Sequence, residues 1–187
     1  MSNEHKVIIV GDSAVGKTSI IMRFHRNAFF PDHQATVGAS FISKTIETKH
    51  GNVVLNTWDT AGQEKYRSLV PMYSRNASAA IVVFDLNKEE SFEGMKLWIE
   101  EVQKNVPEDC IIVTVGNKTD LPSEVSTSKA CNWAKENRFE MTFVSAKTGD
   151  GINELFQYVA ELIQSKRTQP TMETINQLTT NDNLKCC

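Results

Sequence analysis

Residues 7–20 read VIIVGDSAVGKTSI, and the fold turns on them. Four apolar residues run into Gly11, and Gly16 follows with Lys17 and Thr18 behind it. The lettering fits G-x-x-x-x-G-K-[ST], which requires a strand, a tight loop and then a helix. Gly11 lets the chain turn, and Gly16 lets the backbone come close to a phosphate. Backbone N–H groups around 14–18 and the start of the helix supply partial positive charge. Lys17 is placed to reach the outer phosphates, and the Thr18 hydroxyl suits Mg²⁺, a hard cation that takes oxygen ligands.

Outward from this loop, apolar runs alternate with helical patterns. VVLNTW (53–58), AAIVVFD (79–85), IIVTVG (111–116) and MTFVS (141–145) join VIIV as short strands. Most are too apolar to have a wet face, which suits a parallel sheet covered on both sides. Phe41 to Lys49 is more mixed and meets a turn at His50-Gly51-Asn52, so it reads as a hairpin and one antiparallel edge strand. Met95, Trp98, Ile99 and Val102 recur at helical spacing. So do Ile152, Leu155, Phe156, Val159, Leu162 and Ile163. The alternation predicts an α/β doubly wound fold with a mostly parallel six-stranded sheet. Its ligands belong at the carboxyl ends of the strands.

The chain has 187 residues, 40% of them apolar, 23% charged, with a formal net charge of −3. That is one soluble domain with a core of its own and no basic surface for nucleic acid. Residues 1–6 are polar, so no signal peptide is expected, and no window approaches the roughly 18 apolar residues of a membrane span. Cys110 and Cys131 read as reduced core or near-core thiols of a protein facing the cytosol.

The phosphate loop is shared by kinases, ATPases, motor proteins and GTPases, and does not choose among them. Residues 58–64, WDTAGQE, lie at the end of a strand. Asp59 there can hold Mg²⁺, the Gly62 N–H can meet a γ-phosphate, and Gln63 can orient a water. Read by themselves, these residues are equally an ordinary strand-end turn. Taken together, GDSAVGKT, WDTAGQE, NKTD (117–120) and SAK (145–147), in this order, resemble a small GTPase of the Ras superfamily. TVGASF (36–41), WDTAGQEKYRSL (58–69) and YSRNA (73–77) are similar to the Rab family, and most like its early-endosomal branch.

The resemblance covers residues 5–166 and implies a P-loop G domain over 1–166, monomeric, binding GTP and GDP with Mg²⁺. It places Ser13, Ala14, Val15, Gly16, Lys17, Thr18 and Ser19 around the phosphates. It places Thr18, Thr36 and Asp59 on the metal, and an edge of Phe29 against the base. Asp120 accepts both donors of the guanine edge. Adenine lacks that donor pair, which leaves the carboxylate's desolvation uncompensated. Asn117 faces the N7 side and ties loops together, the Lys118 stem lies over the ring, and Ser145, Ala146 and Lys147 close the base loop, with the Ala146 N–H on O6. Thr36 and Gly62 hold the γ-phosphate and release when it is lost, an order–disorder switch. Gln63 and Lys17 are the catalytic residues. No arginine finger is evident in the chain, so intrinsic hydrolysis should be slow, on the order of 10⁻⁴ s⁻¹. Phe41, Trp58 and Tyr73 form an aromatic patch that effectors read.

From Arg167 the chain is polar and without sustained period, and reads as a flexible tail over 167–187. It ends Lys-Cys-Cys. Cys186 and Cys187 resemble the Rab double-cysteine terminus that carries two geranylgeranyl groups, and two lipid chains are what stable anchoring needs. Lys185 does not amount to a polybasic patch. The implied setting is the cytosol and the cytoplasmic face of intracellular membranes, endosomal in particular. The implied partners are an exchange factor, a GTPase-activating protein, effectors, a prenylation escort and a GDP-dissociation inhibitor. Two other classes stand beside this: a G domain that binds nucleotide without hydrolysing it, and a phosphotransferase or ATPase built on the same loop.

Overall fold

A computed structural model describes residues 3–31, 39–60 and 70–168. Thr36, Gly62, Gln63, Cys186 and Cys187 lie outside the described residues. The elements run β1 (Glu4–Val10), α1 (Lys17–Arg26), β2 (Ala39–Thr48), β3 (Gly51–Thr60), α2 (Val70–Ser74), β4 (Ala79–Asp85), α3 (Glu89–Asn105), β5 (Ile111–Asn117), α4 (Thr127–Asn137), β6 (Glu140–Phe143) and α5 (Ile152–Thr168). The strands form one six-stranded sheet in the order β2-β3-β1-β4-β5-β6. All neighbours pair parallel except β2 with β3, the antiparallel edge hairpin.

The sheet buries both faces, as its apolar strands require. On β4, Ile81 and Val83 enter one core cluster with Ile20, Phe24 and Phe156 of α1 and α5. Val82 and Phe84, their neighbours on the strand, enter the other with Met95, Trp98 and Val102 of α3. The period of two along a strand makes this division. Phe24 and Phe156 stack at 3.8 Å between centroids, fastening α1 to α5. At β3 the cover thins. Val53, Leu55 and Thr57 are buried while Val54, Asn56 and Trp58 between them are half-exposed.

Some boundaries and environments differ from the sequence expectation. The hairpin turns at Lys49-His50, and Gly51 opens β3 with a φ of 109°. β6 stops at Phe143, because Ser145 leaves the sheet and its N–H bonds Asp150 O at 3.0 Å. α5 continues two residues past 166, to Thr168. Cys131 is exposed on α4, where Ala130 and Ala134, four apart, take the buried face. Cys110 is half-buried, and burial pushes its thiol up to about 12.

Candidate functional site

The topology brings the named motifs to one edge of the sheet. β1 lies between β3 and β4, and the register pairs Ile9 with Asp59. Asp59 therefore emerges beside the loop that follows β1. The pairing of Asp85 with Asn117 ends β4 and β5 together on the same side. All these positions are carboxyl ends of parallel strands, where an open α/β sheet leaves its crevice.

The loop from Gly11 to Gly16 is shaped by contacts that only small residues permit. Gly11 has φ 143°, and a Cβ there would stand 2.2 Å from Val83 O. Gly16 has φ 97°, and its Cβ would stand 2.3 Å from Asn117 Nδ2. Gly16 is thus bare partly to admit a side chain from the far end of the site. Ser13 and Ala14 are exposed, Val15 is buried, and Ala14 takes the left-handed region at φ 63°.

Lys17 opens α1 and is 6% exposed. Its ammonium donates to Gly11 O at 2.9 Å and to Asp12 O at 2.7 Å. Burial lowers its pKa to about 8, against the raising effect of the Asp59 and Asp12 carboxylates. Thr18 Oγ1 donates to Asp59 Oδ2 at 2.7 Å, and Asp59 is 2% exposed. A hydroxyl oxygen and a carboxylate oxygen so converge beside a buried cation, and Ser19 follows half-exposed on α1. These are hard donors and fit Mg²⁺.

The second half of the site is held by side chains that reach across it. Asn117 is 1% exposed; its Nδ2 donates to Val15 O at 2.8 Å, and its Oδ1 accepts from Ala146 N at 3.1 Å. One amide thereby joins the phosphate loop to the SAK loop. The Ala146 N–H, which the resemblance gives to the base, is engaged by Asn117 in this structure. Lys118 sits at φ 70° and donates to Ala14 O at 2.9 Å and to Asp85 Oδ2 at 2.6 Å. Asp120 accepts from Ser145 Oγ at 2.6 Å, and its other oxygen lies 3.7 Å from the exposed Lys147 ammonium. Phe29 is half-buried against the α1/α5 cluster. On the outer face, Phe41 is 51% exposed and pairs across the hairpin with Trp58, ring centroids 5.3 Å apart. Tyr73 is half-buried on α2.

Three contributors were not legible in the sequence. Arg23 of α1 donates from Nε to Ala146 O at 2.9 Å and from a terminal nitrogen to Lys147 O at 2.5 Å, clamping the SAK loop from below. Asp85 anchors Lys118. Asp12 accepts from the Trp98 indole at 2.8 Å. Each partner lies at least 33 positions away, and no spacing signals such a pair.

The model of the Ras family matches residues 6–165. Among relatives, Ras-related protein Rab-5B of Plasmodium falciparum is 41% identical over 162 residues, spanning 86% of this chain and 78% of that protein. Ras-related protein Rab-5A of Dictyostelium discoideum is 38% identical over 98% of this chain and 96% of its own length. GTP-binding protein ypt5 of Schizosaccharomyces pombe is 43% identical over 83% of this chain and 76% of that protein. A phosphate loop, a hydroxyl–carboxylate pair beside it and an Asn-Lys-x-Asp loop tied to the phosphate loop agree with these similarities. The chain belongs to the Rab branch of the Ras family of small GTPases, and it binds and hydrolyses GTP.

Proposed function

We propose that this GTPase is a Mg²⁺-dependent switch that acts on endosomal membranes, anchored by lipid on Cys186 and Cys187. The observation that carries the metal reading is the 2.7 Å bond between Thr18 Oγ1 and Asp59 Oδ2 beside buried Lys17. When bound, Mg²⁺ would supply charge neutralisation for the phosphoryl oxygens. Thr18 and Asp59 would hold it, joined by Thr36 in the GTP state. Lys17 takes the β and γ phosphates, and the N–H groups of residues 13–19 line the rest. Gln63 aligns the attacking water, and Gly62 meets the γ-phosphate. Among the described residues no cluster of three or more His, Cys, Asp or Glu could hold a metal.

At the base, Asp120 accepts from guanine, oriented by Ser145, while the Lys118 stem, Ala146, Lys147 and Phe29 surround the ring. The unit from residue 1 to 166 is the G domain, and 167–187 is its tether. Among the described residues no helix is long and apolar enough to cross a membrane; attachment through the terminal cysteines rests on their likeness to the Rab double-cysteine terminus. The endosomal reading rests on the likeness to proteins named Rab-5. Phe41, Trp58 and Tyr73 present the effector patch, and an exchange factor, an activating protein, an escort and a GDP-dissociation inhibitor set the cycle.

The test is GDP release followed with and without a chelator. In the wild type, stripping Mg²⁺ should speed release at least tenfold; in Thr18→Ala the same treatment should change it little. Equal chelator sensitivity in both would overturn the metal assignment. Attachment is tested separately: Cys186→Ser with Cys187→Ser should leave a tagged copy in the cytosol, and retention on membranes would sink the lipid reading.

A further inference from the structure

The phosphate loop is fastened to α3 by an arrangement that the nucleotide chemistry does not itself require. Asp12 serves twice. Its backbone carbonyl accepts from the Lys17 ammonium at 2.7 Å. Its side-chain Oδ1 accepts from Trp98 Nε1 at 2.8 Å, and Trp98 is 1% exposed. A buried indole N–H needs a partner, and a carboxylate is the strongest acceptor available to it. The other carboxylate oxygen lies over Gly94, where an added Cβ would come within 2.0 Å of Asp12 Oδ2. Gly94 is buried in the middle of α3, a position where glycine is unfavourable relative to alanine. Its presence is explained by the seat it leaves for Asp12. The contact spans 86 positions of sequence, and Asp12 stands at one of the unspecified positions of G-x-x-x-x-G-K-[ST].

We infer that Asp12 is a positioning residue, latched by the Trp98 indole over Gly94, and that the latch slows nucleotide release by holding the peptide that aims Lys17. Releasing the carboxylate frees that peptide to rotate. The carbonyl then no longer presents the ammonium at a fixed place, and the neighbouring N–H groups lose their common aim. The inference rests on the assignment of residues 11–18 as the phosphate loop.

The experiment is release of GDP carrying a fluorescent N-methylanthraniloyl group from the full-length protein, with thermal unfolding measured on the same samples. Trp98→Phe keeps the ring but loses the donor, and should release nucleotide about tenfold faster, the effect of one hydrogen bond to a charged group. Asp12→Asn keeps an acceptor for the indole and should stay within about threefold of wild type, whereas Asp12→Ala should match Trp98→Phe. Gly94→Ala should also speed release about tenfold, because the new methyl displaces the carboxylate, although alanine favours the helix. Once Asp12 is alanine that displacement has no target, so Gly94→Ala with Asp12→Ala should release no faster than Asp12→Ala. Met95→Leu, a core change on α3 that leaves the indole donor, Gly94 and Asp12 in place, supplies the control for lost stability. Wild-type release from Trp98→Phe would overturn the latch. So would multiplying effects in the Gly94–Asp12 pair, or equal acceleration by a Met95→Leu protein of equal stability. Lys17→Ala separates the two ideas: if it retains nucleotide as the wild type does, the phosphate-loop assignment fails, whatever the latch variants do.

Discussion

The phosphate end and the base end of this site are built in opposite ways. The first is one continuous loop and the first turn of the helix after it, residues 11–18, whose chemistry is mostly backbone N–H groups, one ammonium and one hydroxyl. The second is assembled from residues 117–120 and 145–147, and is held in place by side chains that cross the site. Asn117 reaches Val15 over 102 positions, Lys118 reaches Ala14 over 104, and Arg23 reaches Lys147 over 124. A contiguous loop carries its groups on one stretch of chain, with its glycines and the tie of Asp12 to α3 to shape it. A composite one needs cross-links, and so exposes more residues whose loss separates recognition from binding.

That contrast can be broken from the base end. Asn117→Ala should have the largest effect, since it removes both bonds by which this amide ties the phosphate loop to the SAK loop and leaves two buried backbone groups unpaired. At ~1.5 kcal/mol for each, nucleotide affinity should drop about 100-fold, as equilibrium titration would register; a drop under tenfold would mean that the ends are not joined through this amide. Arg23→Met should come next, with GDP release about tenfold faster through loss of the clamp on Ala146 and Lys147 and little change in the phosphate loop. Unaltered release would show the SAK loop to be self-supporting.

The phosphate end supplies the sharper chemical test and the smallest structural one. Gln63→Leu should lower single-turnover hydrolysis at least tenfold while GTP affinity holds, and unchanged turnover would remove Gln63 from the mechanism. Ala14→Gly relieves a non-glycine residue at φ 63°. The gain of about 1 kcal/mol from the left-handed region is partly offset by the entropy of a glycine in the unfolded chain. The melting temperature should rise by about 1–2 °C, and a fall would show that Ala14 carries packing in place of strain.

The difference between the two ends also explains what was legible. Strands β4 and β5, and β1 from Val7 on, were plain because they are buried on both faces and read as mostly apolar runs; the polar start of β1, Glu4 to Lys6, carries no such signal. The hairpin was legible from its mixed first strand, though its turn lies at Lys49-His50, since Gly51 can take a positive φ while already pairing with Thr48. Cys131 reads from sequence as near-core but is exposed, because one step along a helix changes the face and Ala130 holds the buried one. At the site, a motif carries its own spacing, so Lys17, Thr18 and Asn117 could be named from letters. Arg23, Asp85 and Asp12 could not, because nothing local marks a charged residue whose partner lies on another element. Their contacts are made only once the sheet order is fixed.

The proposed site, one end contiguous and the other composite, selects guanine through Asp120. Competition of GTP against ATP, with Mg²⁺ present, tests it most directly in the wild type and in Asp120→Ala. The wild type should prefer GTP by at least about 10⁴-fold, as a site built to hydrogen-bond its substrate does. Asp120→Ala should cut that preference at least 100-fold by weakening GTP, with ATP little changed. A wild type that binds both nucleotides alike, or an Asp120→Ala protein that still discriminates as well, would contradict it.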